Sequence, residues 1–353
     1  MRMTAPFRLY GAELSPYSTK VRSYLRFKAI AFEWLPRSNA RQEEFARYAK
    51  LPLIPVLVDA NDNAAQDSTP IIEALEAGHA EPALAPESAA LAFLAALLED
   101  YADEWLNKAM FHYRWSYPED QESAAVRISD ALFDGAEQPE GIVAQVKARM
   151  IGRLHHVGSS AETAPLIEAS FARALAGTER LLGGKPYLFG ARPCMGDFGL
   201  SCQFRQLLTD PTPGAIIRAQ APNVVRWIER MEDPRIEGGF ATFEALREGL
   251  AAFLRDEVAV AYLPWMAANA RAVAEDAPGV SVEILGRAFT QKPQRYAAKA
   301  FAEVVRKRGM VNDPALTALL GETGCDAFLI RSEAHGAEDG EDDADESDEG
   351  GED

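Results

Sequence analysis

Residues 10–26, YGAELSPYSTKVRSYLR, decide the reading of the whole chain. Residues 7–10 just before them read as a short strand, and Ser15 followed by Pro16 reads as an N-cap and a first-turn proline opening a helix. A hydroxyl group therefore stands at a strand-to-helix turn. Free backbone N–H groups and the positive end of the helix dipole favour an anion there, a thiolate or a carboxylate. Lys20, Arg22, Arg26 and Lys28 are expected to strengthen that field, while Tyr17, Val21, Tyr24 and Leu25 recur at helical spacing and mark the buried face. Taken alone, the stretch fits an ordinary capped helix equally well.

Working outward, residues 32–35 form a second strand, expected parallel to the first through a right-handed crossover. Residues 41–50 read as a helix, 56–58 as a buried strand, 64–66 as its antiparallel return after the turn-rich DANDN, and 70–77 as a third helix. That order makes one small α/β domain. Two features in it bear on chemistry. Pro55 begins a strand, where proline is tolerated only if no ladder donor is needed. A cis Ile54–Pro55 bond, a minority state on sequence alone, would turn the backbone of Ile54 outward beside Ser15. Asp67 and Ser68 stand at a helix start, which suits either a bound carboxylate or a plain N-cap.

Together, SPYSTKVR, LPLIPVLVD and QDSTPIIEALE resemble, in order and spacing, the N-terminal thioredoxin-like domain of cytosolic glutathione transferases. They look like the serine-type active-site turn, the segment around the cis-proline and the acidic-Ser element that holds glutathione, and they span residues 6 to about 78. The resemblance implies an α/β thioredoxin-like domain followed by a larger all-α domain, with glutathione as co-substrate and no metal. It implies that Ser15 stabilises the glutathione thiolate and that Ile54 pairs with the tripeptide through its backbone. It also implies that Asp67 and Ser68 hold the γ-glutamyl end, with Tyr17 and Pro55 in the same binding set. Tyr10 is the runner-up thiolate partner. A homodimer is implied as well.

Residues 79–87, with His79, Pro82 and Pro86, read as a linker, so the first domain is expected over 1–80 and an all-helical one over 88–330. Residues 87–115 carry Leu91, Leu94, Leu98, Tyr101 and Trp105 at steps of three and four, one long amphipathic helix. Trp105, Lys108, His112 and Trp115 share a face near its end. Packing with snorkelling side chains accounts for that face, and so does a second-substrate pocket, since in the family this helix lines the cleft. Residues 116–160 are broken by Pro118, Gly135, Pro139 and Gly141 and are expected to be short helices and loops, and 165–182 resumes as a helix. The adjacent His155 and His156 would point about 100° apart on a helix, so neither reads as a metal ligand. In YLFGARPCMGDFGLSCQF, Asp197 matches the acid of the family's capping box and is expected to be structural. Cys194 replaces the usual hydroxyl residue, which puts the reciprocal half of the box in question.

The family's second domain would end near residue 235, yet the chain runs on. A helix from 240 to about 260 is expected to break near Pro264. The alternation of Val280, Val282 and Ile284 before Gly286 suggests a hairpin, and helices follow over 293–308 and 314–320.

Composition narrows the function. Of 54 acidic residues, 12 lie from Glu333 onward among no Lys or Arg, so the rest of the chain carries −6 of the net −18. Residues 331–353 are thus expected to be a disordered acidic tail. The body has no basic excess, which argues against nucleic acid. No apolar run suggests a membrane span or signal peptide, and three scattered cysteines suit a reducing cytoplasm. Nucleotide-loop, nucleophile-elbow and metallohydrolase motifs are absent. A glutathione-dependent transferase acting on a small electrophile is the leading expectation. A non-catalytic binding or assembly module on the same fold is the alternative, and a glutaredoxin-like reductase is disfavoured because Ser15 and Ser18 stand where that chemistry needs cysteines.

Overall fold

In the computed structural model, residues 6–330 are described; the acidic tail lies outside them. Four strands, β1 (Phe7–Gly11), β2 (Phe32–Pro36), β3 (Val56–Val58) and β4 (Ala64–Gln66), form one sheet in the order β2-β1-β3-β4. β1 and β2 run parallel through α1 (Pro16–Phe27), as the strand–helix–strand reading requires, while β3 is antiparallel to β1 and to β4. The pairing register sets Tyr10 opposite Val56, and Val56 opposite Gln66. That row fixes which loops meet at one end of the sheet. Residues 41–50 do not form a full helix: a 3₁₀ turn at Asn39–Arg41 leads into α2 (Gln42–Ala46) and ends there. The chain leaves the helix at Arg47 and must turn back to start β3 at Val56. α3 (Ser68–Gly78) closes the first domain.

The larger domain is helical: α4 (Ala89–Tyr101), α5 (Asn107–Ser116), α6 (Pro118–Phe133), α7 (Ile142–Ile151), α8 (Ala164–Leu182), α9 (Met195–Thr209), α10 (Pro211–Gln220) and α11 (Pro222–Arg230). The long helix expected over 87–115 is present, but five residues of wider π turn, Ala102–Leu106, interrupt its register between α4 and α5. Such turns rotate the following side chains relative to the preceding ones. The region 116–160 is more regular than its prolines and glycines suggest, because Pro118 sits at the first turn of α6, where a missing N–H costs nothing.

The extension is part of the same core. α12 (Phe243–Phe253) packs on α8, and a π stretch, Leu254–Tyr262, joins it to α13 (Leu263–Ala274). Pro264 therefore does not break the helix. The π stretch resets the hydrogen-bond register, so Pro264 falls in the first turn of α13, where it is tolerated. The hairpin is β5 (Val280–Ile284) and β6 (Arg287–Gln291), its turn made by Leu285 and Gly286 with φ of 51° and 75°, the left-handed pair that matches strand twist. α14 (Arg295–Gly309) lies against α13 and α4, and α15 (Pro314–Thr323) and α16 (Asp326–Leu329) complete the chain. One hydrophobic cluster runs from Leu9 through Leu98 and Phe198 to Leu329.

Candidate functional site

The row Tyr10–Val56–Gln66 puts three connections at the same end of the sheet: the turn after β1 that carries Ser15, the Ile54–Pro55 segment before β3, and Asp67–Ser68 after β4. Ser15 is the N-cap of α1, and its Oγ accepts the Ser18 N–H at 3.2 Å. That bond uses a lone pair and leaves the hydroxyl proton free to donate. The turn is tight. A Cβ on Gly11 would lie 2.7 Å from the Trp34 ring and 2.8 Å from Ser18 Cβ. The Ile54–Pro55 bond is cis, as is Glu81–Pro82 in the linker. Gln66 holds the loop before it, accepting from Leu51 N–H at 3.1 Å and donating to the Leu51 and Leu53 carbonyls at 2.8 and 2.7 Å.

Asp67 precedes α3 with φ 80° and ψ 137°, a conformation that costs a residue with a side chain on the order of 1–3 kcal/mol. Its carboxylate makes no cap bond to its own helix; it accepts instead from the Tyr296 hydroxyl of α14. Ser68 is buried, and its Oγ has no hydrogen-bond partner among the described residues. Tyr17 is half-buried and its hydroxyl donates to the Asp103 carbonyl at 3.1 Å while accepting from Asn107 Nδ2 at 3.1 Å, so it ties α1 to the second domain.

The cations of α1 do not build a field at Ser15. Lys20 is fully buried and bonds Thr69 Oγ1 at 3.0 Å, Asp103 Oδ2 at 2.6 Å and Glu99. Burial works against its charge, but Asp103 and Glu99 outweigh it and hold the ammonium above its ordinary range. Arg22 pairs with Glu13, Arg26 Nη1 donates to the Glu232 carbonyl at 2.7 Å, and Lys28 donates to the carbonyls of His79 and Pro82 at 2.7 and 2.8 Å. A one-helix reading could not foresee this, because every partner lies outside the helix, and all but Glu13 lie far along the chain. Tyr10 is fully buried in the small cluster with Leu35, Phe45 and Val58, and its hydroxyl donates to Glu44 at 2.6 Å. Burial, then Glu44, push its pKa far up, and its proton is committed to the Glu44 carboxylate rather than to a ligand at the turn.

Asp197 is fully buried at the start of α9, accepting the Leu188 and Cys194 N–H groups at 2.9 Å each and Trp227 Nε1 at 2.8 Å. Burial raises its pKa to about 6 against those donors. The thiol of Cys194 donates to the same carboxylate at 3.2 Å. The acid's half of the capping box is thus made without a hydroxyl residue.

The family model for the glutathione S-transferase N-terminal domain matches residues 9–83, and that for the C-terminal domain matches residues 144–230. Over those two segments the chain matches the glutathione S-transferase superfamily. It is similar to the isoprene-epoxide–glutathione S-transferase of Rhodococcus sp. (strain AD45), 26% identical over 226 residues, which cover 62% of this chain and 92% of that one. Among solved structures it is similar to a glutathione S-transferase of Methylobacterium radiotolerans in complex with glutathione sulfonate, at 24% identity and a TM-score of 0.42, covering 65% of this chain and 92% of that one. A glutathione S-transferase of Rhodospirillum rubrum F11 gives 22% and 0.44, covering 63% and 86%. Neither family model reaches beyond residue 230.

The four residues of the expected second-substrate face part company. Trp105 is buried against Trp265 and Phe289, its Nε1 donating to Ser170 Oγ at 2.8 Å. Lys108 is buried with its ammonium 3.8 Å from the Trp265 ring centroid and 2.9 Å from Gln291 Oε1, and burial lowers its pKa to about 7. The extension fills that half of the face. His112 and Trp115 instead line a cavity of about 440 Å³ between α5, α6, α7 and α8. Sequence reading missed Tyr296 and the acids around Lys20, where burial pushes Asp100 and Asp103 up to about 7. Their signal was four acids, Glu99, Asp100, Asp103 and Glu104, within six positions of an otherwise apolar helix. Among the described residues no cluster of three or more His, Cys, Asp or Glu is arranged to hold a metal ion, and no helix is long and apolar enough to cross a membrane.

Proposed function

We propose that this chain is a glutathione-dependent transferase that binds the tripeptide along the sheet end defined by Ser15, Ile54–Pro55 and Asp67–Ser68 and adds its thiolate to a small electrophile. The observation that carries the reading is the sheet register, which gathers three connections separated by up to about fifty residues into one row. Ser15 would donate its free hydroxyl proton to the glutathione sulfur, and the start of α1 would add its dipole. Both favour the thiolate without ionising the serine. The backbone of Ile54 and Pro55 would flank the tripeptide, and the unpartnered Ser68 hydroxyl together with the Asp67 carboxylate would meet its γ-glutamyl end.

Titration calorimetry with glutathione and turnover of an aryl halide test it. Ser15→Ala is expected to lower turnover about 10- to 100-fold, the worth of one hydrogen bond to a charged group. Wild type that neither binds nor turns over ends the catalytic reading. One contact favours the second reading, a glutathione-transferase-like binding or assembly module: Tyr296 of the extension already occupies Asp67. Absence of binding heat would select the module.

A further inference from the structure

The cavity lined by His112 and Trp115 contains a set of side chains outside the row proposed to bind glutathione. His112 sits on α5 with 2% of its surface exposed. Its Nδ1 lies 2.8 Å from Ser159 Oγ and its Nε2 3.1 Å from Glu168 Oε1, and the Tyr117 hydroxyl donates to the same Glu168 oxygen at 2.6 Å. Ser159, His112, Tyr117 and Glu168 all line the cavity. Nucleophile, base and orienting acid within hydrogen-bond reach, in that order, are the signature of an activated serine whatever the chain order.

Each member is held. Burial lowers the pKa of His112, against the pull of Glu168, so the ring is neutral at pH 7. The carboxylate accepts from Nε2–H, which leaves the Nδ1 lone pair facing Ser159. The Ser159 N–H donates to the Leu154 carbonyl at 3.0 Å, and Thr163 Oγ1 donates to the Gly158 carbonyl at 2.6 Å. Gly158 has φ +69°, and a Cβ there would meet the Phe289 ring at 2.5 Å, so the hairpin of the extension presses directly on the loop carrying Ser159. Ser116 Oγ lies 3.1 Å from the same Nδ1. Once Nδ1 takes the Ser159 proton, the Ser116 hydroxyl is free to donate to a neighbouring oxyanion.

We propose that Ser159, His112 and Glu168 form a second catalytic centre, an acyl-transfer site for small uncharged esters. Ser159 Oγ attacks the carbonyl carbon while its proton passes to His112 Nδ1. The alcohol leaves with that proton, and the acyl group remains on Oγ. Water then attacks the acyl carbon, giving its proton to Nδ1 and on to Oγ, and the carboxylic acid departs. No oxidant or cofactor enters. The walls select the substrate class: Trp115, Ile151, Leu154 and Ala164 are apolar, and no Lys or Arg among the described residues lines the cavity to receive an acidic acyl chain. Its volume suits a short-chain ester.

The site shares no residue with Ser15, Ile54–Pro55 or Asp67–Ser68, and its test uses the full chain without glutathione, so the two readings fail separately. The protein is treated with a fluorophosphonate probe and, in parallel, with p-nitrophenyl acetate. The expected result is label mapped by peptide mass to Ser159, and hydrolysis that falls at least about 100-fold in Ser159→Ala and in His112→Gln, as for loss of a nucleophile or base. Glu168→Ala is expected to lower kcat with KM unchanged, and Glu168→Asp to restore labelling, which a packing role alone would not do. Mapping on wild type needs no variant to fold. Absence of label, label on another residue, or hydrolysis unaffected by Ser159→Ala in a folded protein overturns the proposal.

Discussion

Lys20→Met is the most informative single change in this molecule. Its ammonium is fully buried between Thr69 of α3, Glu99 of α4 and Asp103 of the π turn, so one side chain of the first domain neutralises two acids of the second. Methionine keeps the length and removes the charge. Glu99 and Asp103, 6% and 7% exposed, are then left facing one another without a cation, and breaking a buried pair from one side costs about 3–5 kcal/mol. That cost depends on pH in a defined direction. Burial holds Asp103 up to about 7, whereas an unfolded aspartate titrates near about 3.9. The folded state therefore keeps a proton that the unfolded state has lost, and this stability is complete below about pH 4 and vanishes as pH rises through 7. Without Lys20 the folded pKa rises further and the window widens upward. Urea denaturation followed by circular dichroism should show the full loss at pH 7.5 and a much smaller one at pH 5.5, with Glu99→Gln added to the variant recovering part of it. A loss under about 1 kcal/mol at pH 7.5, or the same loss at both values, would refute the electrostatic account of the domain contact.

Asp197→Ala leaves the N–H groups of Leu188 and Cys194 and the Trp227 indole without their acceptor. At about 1 kcal/mol or more each, the loss should reach about 3 kcal/mol and lower Tm by several degrees in a calorimetric scan, and unchanged melting would remove its structural role. Tyr296→Phe frees Asp67 from the extension. If glutathione must displace that hydroxyl, calorimetry should find affinity raised roughly fivefold, the partly exposed bond being worth about 1 kcal/mol, and weaker binding would instead place the tyrosine among the groups that hold the ligand.

What the sequence made legible was local. The N-cap at Ser15, the strand alternation at Val280, Val282 and Ile284 with its Leu285–Gly286 turn, and the acid of the α9 capping box are each set by neighbours within a few positions. What stayed hidden depends on contacts far along the chain. Lys20 finds Glu99 across 79 positions, His112 finds Ser159 across 47, and Tyr296 reaches Asp67 across 229. Composition near Lys20 reads as a basic helix face, and only the fold turns that face toward acids.

The extension carries part of this hidden information, and it acts on both candidate sites. Phe289 and Trp265 close over Trp105 and Lys108, and Phe289 also presses on Gly158, one residue before Ser159. From the next helix, Tyr296 takes Asp67 and Lys307 pairs with Glu73 of α3. Residues 265–307 therefore couple the start of α3 to the loop before α8 through one packed body, since α13 contacts both the hairpin and α14. A displacement of α14 that released Asp67 would have to shift α13 or slide against it, and the hairpin rests on the same helix. If that packing is rigid, glutathione should slow hydrogen exchange at Gly158–Ser159 as well as at the start of α3. Protection confined to α3 would mean that α14 moves alone, with Tyr296 a local latch.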